Sequence, residues 1–193
     1  TECLLAYCRP GFEPDLAAEL GHHAGVQGIP AYAKTERGSA FVMLLGAPRD
    51  LLAEAIPYSQ LVFGRQKYAL IDALEDLDPL DRISPVLEAL GGKGRYGDLS
   101  VETPDSDDAR QLAGLAKAFG NALRPALRKR GMLTDKPNPK LPMLHVVFVR
   151  NNHLLLASST AGDRSPWPMG IPRLKQDSRA PSRSAMKLDE ALA

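Results

Sequence analysis

Three groups of residues have the types and spacing to do chemistry. Lys187 stands in the run Ser182-Arg-Ser-Ala-Met-Lys-Leu-Asp-Glu190. There Ser182 or Ser184 can cap a helix, Met186, Leu188 and Leu192 supply apolar positions, and Asp189 and Glu190 suit the early turns. A lysine with an ordinary pKa of about 10.4 is neutral in roughly one molecule in a few thousand at pH 7, so Lys187 accepts a proton only where burial or cationic neighbours lower that value. Arg124, Arg128, Lys129, Arg130, Lys136 and Lys140 form a second group, at the end of a predicted helix and in the loop after it, suited to phosphate oxygens. The third lies in and around the proline-rich stretch Ser165 to Lys175: Trp167 beside Arg164, Arg173 and Lys175, an aromatic face for base stacking among cations. Trp167 serves equally well to pack one unit of the chain against the next. Arg183, in the tail, joins the cationic set, whereas Arg9 near Phe12 reads as structural.

Other constellations fail. His22, His23, His145 and His153 lack metal-ligand spacing, and His145 lies on an apolar strand where a satisfied core histidine is the simpler reading. Gly91-Gly-Lys-Gly94 follows a helix and lacks the Lys-Ser/Thr ending of a phosphate loop. Ser158-Ser-Thr160 has no local base. Cys3 and Cys8, the only two cysteines, point to opposite faces of one strand, too far apart to bridge. Neither a metal site nor an independent active site is expected.

Charge is segregated along the 193 residues, although the net value is only +1. Thr1 to Ala116 holds 10 Lys and Arg against 18 Asp and Glu, while Lys117 to Lys187 holds 14 against 3. A basic excess sustained over that length predicts one surface that attracts a polyanion, with the acidic remainder limiting indiscriminate binding. No apolar run reaches the roughly 18 to 20 residues that cross a bilayer, and the first residues lack the pattern of a secretion signal, so a cytoplasmic location and no membrane partner are expected.

The elements that must position these residues follow from periodicity. Cys3 to Cys8 reads as a strand, Glu13 to Ala24 as a helix stopped by Gly25, and Ile29 to Lys34 with Ala40 to Leu45 as paired strands. Pro48 to Ile56 reads as a helix with Leu51, Leu52 and Ala55 inward, and a further strand lies within Leu61 to Leu74. This β-α-β-β-α-β order is that of a ferredoxin-like sandwich, expected to span residues 1–72. The second unit begins with an acidic lead-in. A helix over Pro79 to Leu90, a strand over Leu99 to Thr103, and a long helix to Arg130 capped by Asp107 or Asp108 come next. Leu112, Leu115, Ala116, Phe119, Leu123 and Leu127 form that helix's buried stripe. After the loop Asp135 to Pro142 come the strands Met143 to Arg150 and Leu154 to Ser159, joined at Asn151-Asn152. The fold class is α+β.

Element order and motifs together resemble known families. The tail resembles the Ser-Arg-x-x-x-Lys-Leu-x-Glu stretch of the FtsJ-like RNA 2'-O-ribose methyltransferases, where the lysine belongs to a catalytic tetrad. The second unit, residues 73–176, resembles the THUMP domain of RNA-modifying enzymes. Cys8-Arg-Pro-Gly-Phe-Glu13, Pro125-Ala-Leu-Arg128, Ser165-Pro-Trp-Pro-Met-Gly-Ile-Pro-Arg-Leu-Lys175 and Ala180-Pro-Ser-Arg-Ser184 carry a resemblance over nearly the whole chain to bacterial 23S ribosomal RNA cytidine 2'-O-ribose methyltransferases. The resemblance implies that residues 177–193 are a linker and the first helix of a Rossmann-like methyltransferase domain lying downstream. It implies that S-adenosyl-L-methionine binds in that domain without a metal, that Lys187 is catalytic, and that 23S ribosomal RNA or its precursor is the partner of a monomeric enzyme. The 193 residues alone would then be inactive. The alternatives are a stand-alone THUMP-type RNA-binding module, a part of a transfer RNA-modifying enzyme, or a ferredoxin-like protein-interaction domain.

Overall fold

Strand β4 (Gln66–Leu74) organises the molecule, because it is hydrogen-bonded along both edges. A computed structural model describes residues 3–172. On one side of β4 lie β1 (Cys3–Tyr7), β3 (Phe41–Leu45) and β2 (Tyr32–Thr35). On the other lie β7 (His153–Ser159), β6 (Met143–Arg150) and β5 (Asp98–Glu102), so one seven-stranded sheet runs in the order β2-β3-β1-β4-β7-β6-β5. Every pairing is antiparallel except β5 with β6. The first four strands reproduce the order of a ferredoxin-like unit. The boundary expected at 72/73 falls inside β4.

Register places all the longer helices on one face. Leu44, Leu4, Ala69, Ser158 and Leu144 are successive cross-strand partners and therefore share a side. Over one half of that side, α1 (Glu13–Val26) and α2 (Arg49–Ala55) bury Leu16, Leu20 and Leu52 against Leu4, Ala6 and Val42. Over the other half, α3 (Ile83–Ala89) and α5 (Ala113–Lys129) bury Val86, Phe119, Leu123 and Leu127 against Leu144, Val146 and Phe148. Cys8 points to this side and Cys3 to the other. Both are free and buried, and burial pushes the thiols up to about 11 for Cys3 and about 12 for Cys8, leaving them unreactive.

Several expectations are corrected. Leu51 is exposed, and only Leu52 of its pair faces inward. The first long helix runs through Gly25 to Val26, and Gly28, at φ +68°, ends it. The expected helix over 79–90 begins only at Ile83, because the Asp78 and Asp81 carboxylates accept from the backbone N–H groups of Leu80 and Ser84 and hold a turn there. The long helix is two: α4 (Asp107–Arg110), capped by Ser106 Oγ rather than by Asp107 or Asp108, and then α5. They separate at Gln111-Leu112 because α4 leans on β6 while α5 runs along β5.

The segment after β7 is tied back onto the start of β4. Lys67 Nζ is buried and donates to Ala53 O at 2.8 Å, Ile56 O at 2.6 Å and Asp163 Oδ2 at 2.5 Å. Burial lowers its pKa, and the Asp163 carboxylate opposes that shift. On the opposite face of the strand, Gln66 exchanges two hydrogen bonds with the Ser165 backbone. Asp163→Ala is expected to destabilise the protein by about 1–3 kcal/mol, since it removes one of three acceptors from a buried ammonium. Adding Lys67→Met should restore much of the loss; thermal unfolding of the single and double variants checks this by a double-mutant cycle.

Candidate nucleic-acid interface

Arg124, Arg128, Lys129, Arg130, Lys136 and Lys140 gather at one end of the sheet, where β5 and β6 start and β7 stops. Asp98 pairs with Met143 and Met143 with Ser159, so the loop before β6 and the segment after β7 meet there. The last turn of α5 reaches the same end, because Arg124 donates to Asp98 Oδ1 at 2.8 Å and to Leu99 O at 2.7 Å. The helix carries Pro125 in its interior and ends at Gly131, φ +69°.

Gly97 anchors the loop that presents the cations. Its N–H donates to Pro142 O, its carbonyl accepts from Asn138 N and Thr134 Oγ1, and a Cβ there would lie 2.0 Å from Asn138 O. Only glycine permits that approach. Lys136 and Lys140 are exposed on this loop, next to exposed Lys129 and Arg130 at the end of α5.

The candidate residues thus divide. Lys129, Arg130, Lys136 and Lys140 project into solvent. Arg124 is bound to Asp98 and Leu99, which ties α5 to β5, and Arg128 donates to Thr134 O at 3.2 Å and Asp135 O at 2.8 Å, which holds the loop in place. Arg164 is half-buried with its guanidinium against the Met143 sulfur. Trp167 is half-buried at the start of a tight turn in which its N–H donates to Ser165 Oγ and Gly170 N donates back to its carbonyl. Arg173, Lys175, Arg183 and Lys187, with the expected linker and helix over 177–193, lie outside the described residues.

Two basic residues escaped the sequence reading. Tyr96 bridges to Leu133, donating to Met132 O and accepting from Thr134 N, which brings exposed Lys93 and Arg95 alongside the loop. They lie in the acidic half of the sequence, in a glycine-rich connection that resembles nothing catalytic, and only the bridge reveals their place.

The face opposite the helices carries a buried polar row. Tyr68 Oη donates to Glu102 Oε1 at 2.6 Å and Ser100 Oγ to Oε2 at 2.7 Å. The His145 ring stacks on Tyr68 with centroids 4.0 Å apart, and its Nε2 lies 2.7 Å from Ser159 Oγ. His145 is thus a core residue, as expected, but not a fully satisfied one: its buried Nδ1 has no hydrogen-bond partner and lies 3.8 Å from Glu102 Oε1. Burial alone would raise the Glu102 pKa, but His145, Tyr68 and Ser100 together hold it below the usual carboxylate range. Among the described residues no group of three His, Cys, Asp or Glu is arranged to hold a metal, and no helix is long and apolar enough to cross a membrane.

Two family descriptions match: "RlmM ferredoxin-like domain" over residues 1–68 and "Ribosomal RNA large subunit methyltransferase M, N-terminal" over residues 81–160. The chain is 56% identical to the ribosomal RNA large subunit methyltransferase M of Xanthomonas axonopodis pv. citri and 55% identical to that of Xanthomonas oryzae pv. oryzae, over 189 residues in each case. The chain belongs to the RlmM family, as its N-terminal part. The alignments cover 98% of this chain but 54% of each relative, so it spans about half their length. Among solved structures, TrmN from Thermus thermophilus (TM-score 0.55, 14% identity, 85% of this chain and 47% of that one) has the same fold over the aligned part. So does a possible methylase from Clostridium difficile 630 (TM-score 0.50, 13% identity, 84% and 42%).

Gln is expected to replace Glu102 with a specific pH signature. A carboxylate whose folded pKa is depressed adds stability that is complete above its unfolded value, about 4.3, and is lost as pH falls through the lower folded value. Glu102→Gln should therefore cost stability at neutral pH and flatten the acid limb of the stability curve below about pH 4, as measured by denaturant unfolding across pH.

Proposed function

We propose that this chain is the RNA-recruiting part of an S-adenosylmethionine-dependent methyltransferase that modifies the ribose 2'-hydroxyl of a cytidine in 23S ribosomal RNA. The observation that carries the reading is the exposed cationic end of the sheet, held by Gly97, Arg124 and Arg128, in a chain belonging to the RlmM family. Lys93, Arg95, Lys129, Arg130, Lys136 and Lys140 would contact phosphates, a mode that recruits RNA without reading sequence. Trp167 and Arg164, on the segment that follows β7, are proposed as further RNA contacts. The names of the curated relatives support a large-subunit ribosomal RNA substrate. Those relatives are nearly twice as long, which leaves room for a domain that binds S-adenosylmethionine.

Methyl transfer to a ribose hydroxyl needs that hydroxyl oriented toward the sulfonium methyl group and its proton removed. The described residues supply affinity and orientation. Lys187 is proposed as the group that accepts the proton in the longer enzyme, where burial or cationic neighbours would have to lower its pKa. The 193-residue chain would bind RNA but not methylate it, and the enzyme would work in the cytoplasm as a monomer.

Alanine at Lys129, Arg130, Lys136 and Lys140 together is expected to lower the slope of log affinity against log salt by about 3, at roughly 0.7 to 0.9 per phosphate contact. Arg124→Gln should lower thermal stability more than the slope. An unchanged slope in the fourfold variant would remove this end of the sheet from the interface. In the full-length enzyme Lys187→Ala should abolish methyl transfer while leaving RNA affinity unchanged; retained turnover would take Lys187 out of the reaction.

A further inference from the structure

At the start of α1, three large apolar side chains face water together. The Phe12 and Phe63 rings stack with centroids 6.0 Å apart and planes 26° from parallel, each more than a third exposed. Val62, beside them, is 83% exposed.

The patch is built on a stiff support. Buried Glu13 accepts from Gly11 N at 3.1 Å and Ala40 N at 2.9 Å, which holds the turn that carries Phe12. Glu19 accepts from Val62 N at 2.6 Å and Phe63 N at 3.0 Å, one carboxylate oxygen for each. Two carboxylates thus hold two loops so that their apolar side chains stay in water rather than folding under. Apolar surface preorganised in this way marks a contact surface.

Charge and chain path identify the partner. Asp15 and Glu19 on α1 and exposed Arg9 in the turn before Phe12 flank the patch, and Arg65, on the same loop as Phe63, is paired with Asp105 at 3.0 Å, which leaves two carboxylates against one unpaired cation. A mixed, slightly acidic surround of this kind suits a protein surface better than a phosphate backbone. The last described residues run beside the same loop. Met169 and Gly170 take left-handed conformations, φ 57° and 70°, and Gly170 seats so closely on Arg65 that a Cβ would come 1.7 Å from its carbonyl oxygen. Ile171 and Pro172 follow, and Arg65 is two residues from Phe63.

We infer that Phe12, Val62 and Phe63 are the docking surface for the polypeptide downstream of this chain, the methyltransferase half of the full-length protein. The inference rests on the reading above that such a half follows. A partner tethered through a segment that packs on Arg65, two residues from Phe63, has a high effective concentration, so a small contact suffices to orient it. The RNA-binding end and the catalytic half would then be held in a set geometry rather than swinging on a free linker.

The test uses full-length protein carrying either Val62→Cys or Leu80→Cys. Leu80 is 94% exposed and distant in sequence. Thiol labelling is followed by mass spectrometry of the peptide concerned, and Cys3 and Cys8 are buried and stay silent. Without RNA, the Val62→Cys site should label at least tenfold more slowly than the Leu80→Cys site, independently of protein concentration. Adding Phe12→Ser and Phe63→Ser should restore the rate and raise the radius of gyration in solution scattering. Equal labelling rates overturn the proposal. So does slow labelling that needs RNA, which would make the patch a nucleic-acid surface, or slow labelling that scales with concentration, which would make it a contact between copies. Methyl transfer by the unsubstituted protein is assayed in parallel, so its absence would count against the functional reading and not against the docking surface.

Discussion

A strand with partners on both edges and apolar packing on both sides has almost no freedom of register, and β4 is in that position. Slipping it by one residue would turn Tyr68 and Leu70 toward the helices and send Lys67 into the buried row beside Glu102. Lys67 and Gln66 add a second restraint at the same point. They grip the segment after β7 from opposite faces, at Asp163 and Ser165. The ferredoxin-like half and the half that carries the cations are therefore one sheet with a common middle. The angle between them is set by backbone hydrogen bonds, not by a linker.

That continuity explains how a distributed charge becomes a local one. The basic residues of the second half are spread over some seventy positions, yet parallel pairing of β5 with β6 and the tie of α5 to Asp98 bring Arg124, Arg128, Lys129, Arg130, Lys136 and Lys140 to one end of the sheet. Cations inside the structure hold those outside it. Arg124 and Arg128 fasten the helix end and loop, which leaves Lys129, Arg130, Lys136 and Lys140 to face solvent. Such a division of labour is common in anion-binding surfaces, because a lysine on a disordered loop loses more entropy on contact than one on an anchored loop.

The helix-free face makes a different choice. Tyr68, His145, Glu102, Ser100 and Ser159 form a polar row where the other face has leucine and phenylalanine. Glu102 is tolerable there only because Tyr68 and Ser100 donate to its two oxygens, one each. Nothing in the alternation of β5 signals this. Glu102 reads as the outward-facing polar residue of an edge strand until its partners from β4 and β6 are known.

Much was legible without coordinates. Strand and helix order, the Asn151-Asn152 hairpin and the opposite faces of Cys3 and Cys8 all follow from spacing within short windows, where the periods of 2.0 and 3.6 residues and turn chemistry act, while the family resemblance rests on motifs such as Ser165 to Lys175. Local competition spoiled some boundaries, as where Asp78 and Asp81 captured backbone N–H groups that a helix would have used. The identities of the exposed cations, the recruitment of Lys93 and Arg95, and the meeting of Phe12 with Phe63 were decided only in the folded chain. Each depends on a contact between residues tens of positions apart: Arg124 with Asp98, Tyr96 with Leu133, Glu19 with Val62. Sequence by itself determined which side chains this protein has to work with and which local elements carry them. Whether a charged group faces solvent or a carbonyl oxygen was a matter of tertiary structure, because the energy of such a group depends on what surrounds it and not on its neighbours in the chain.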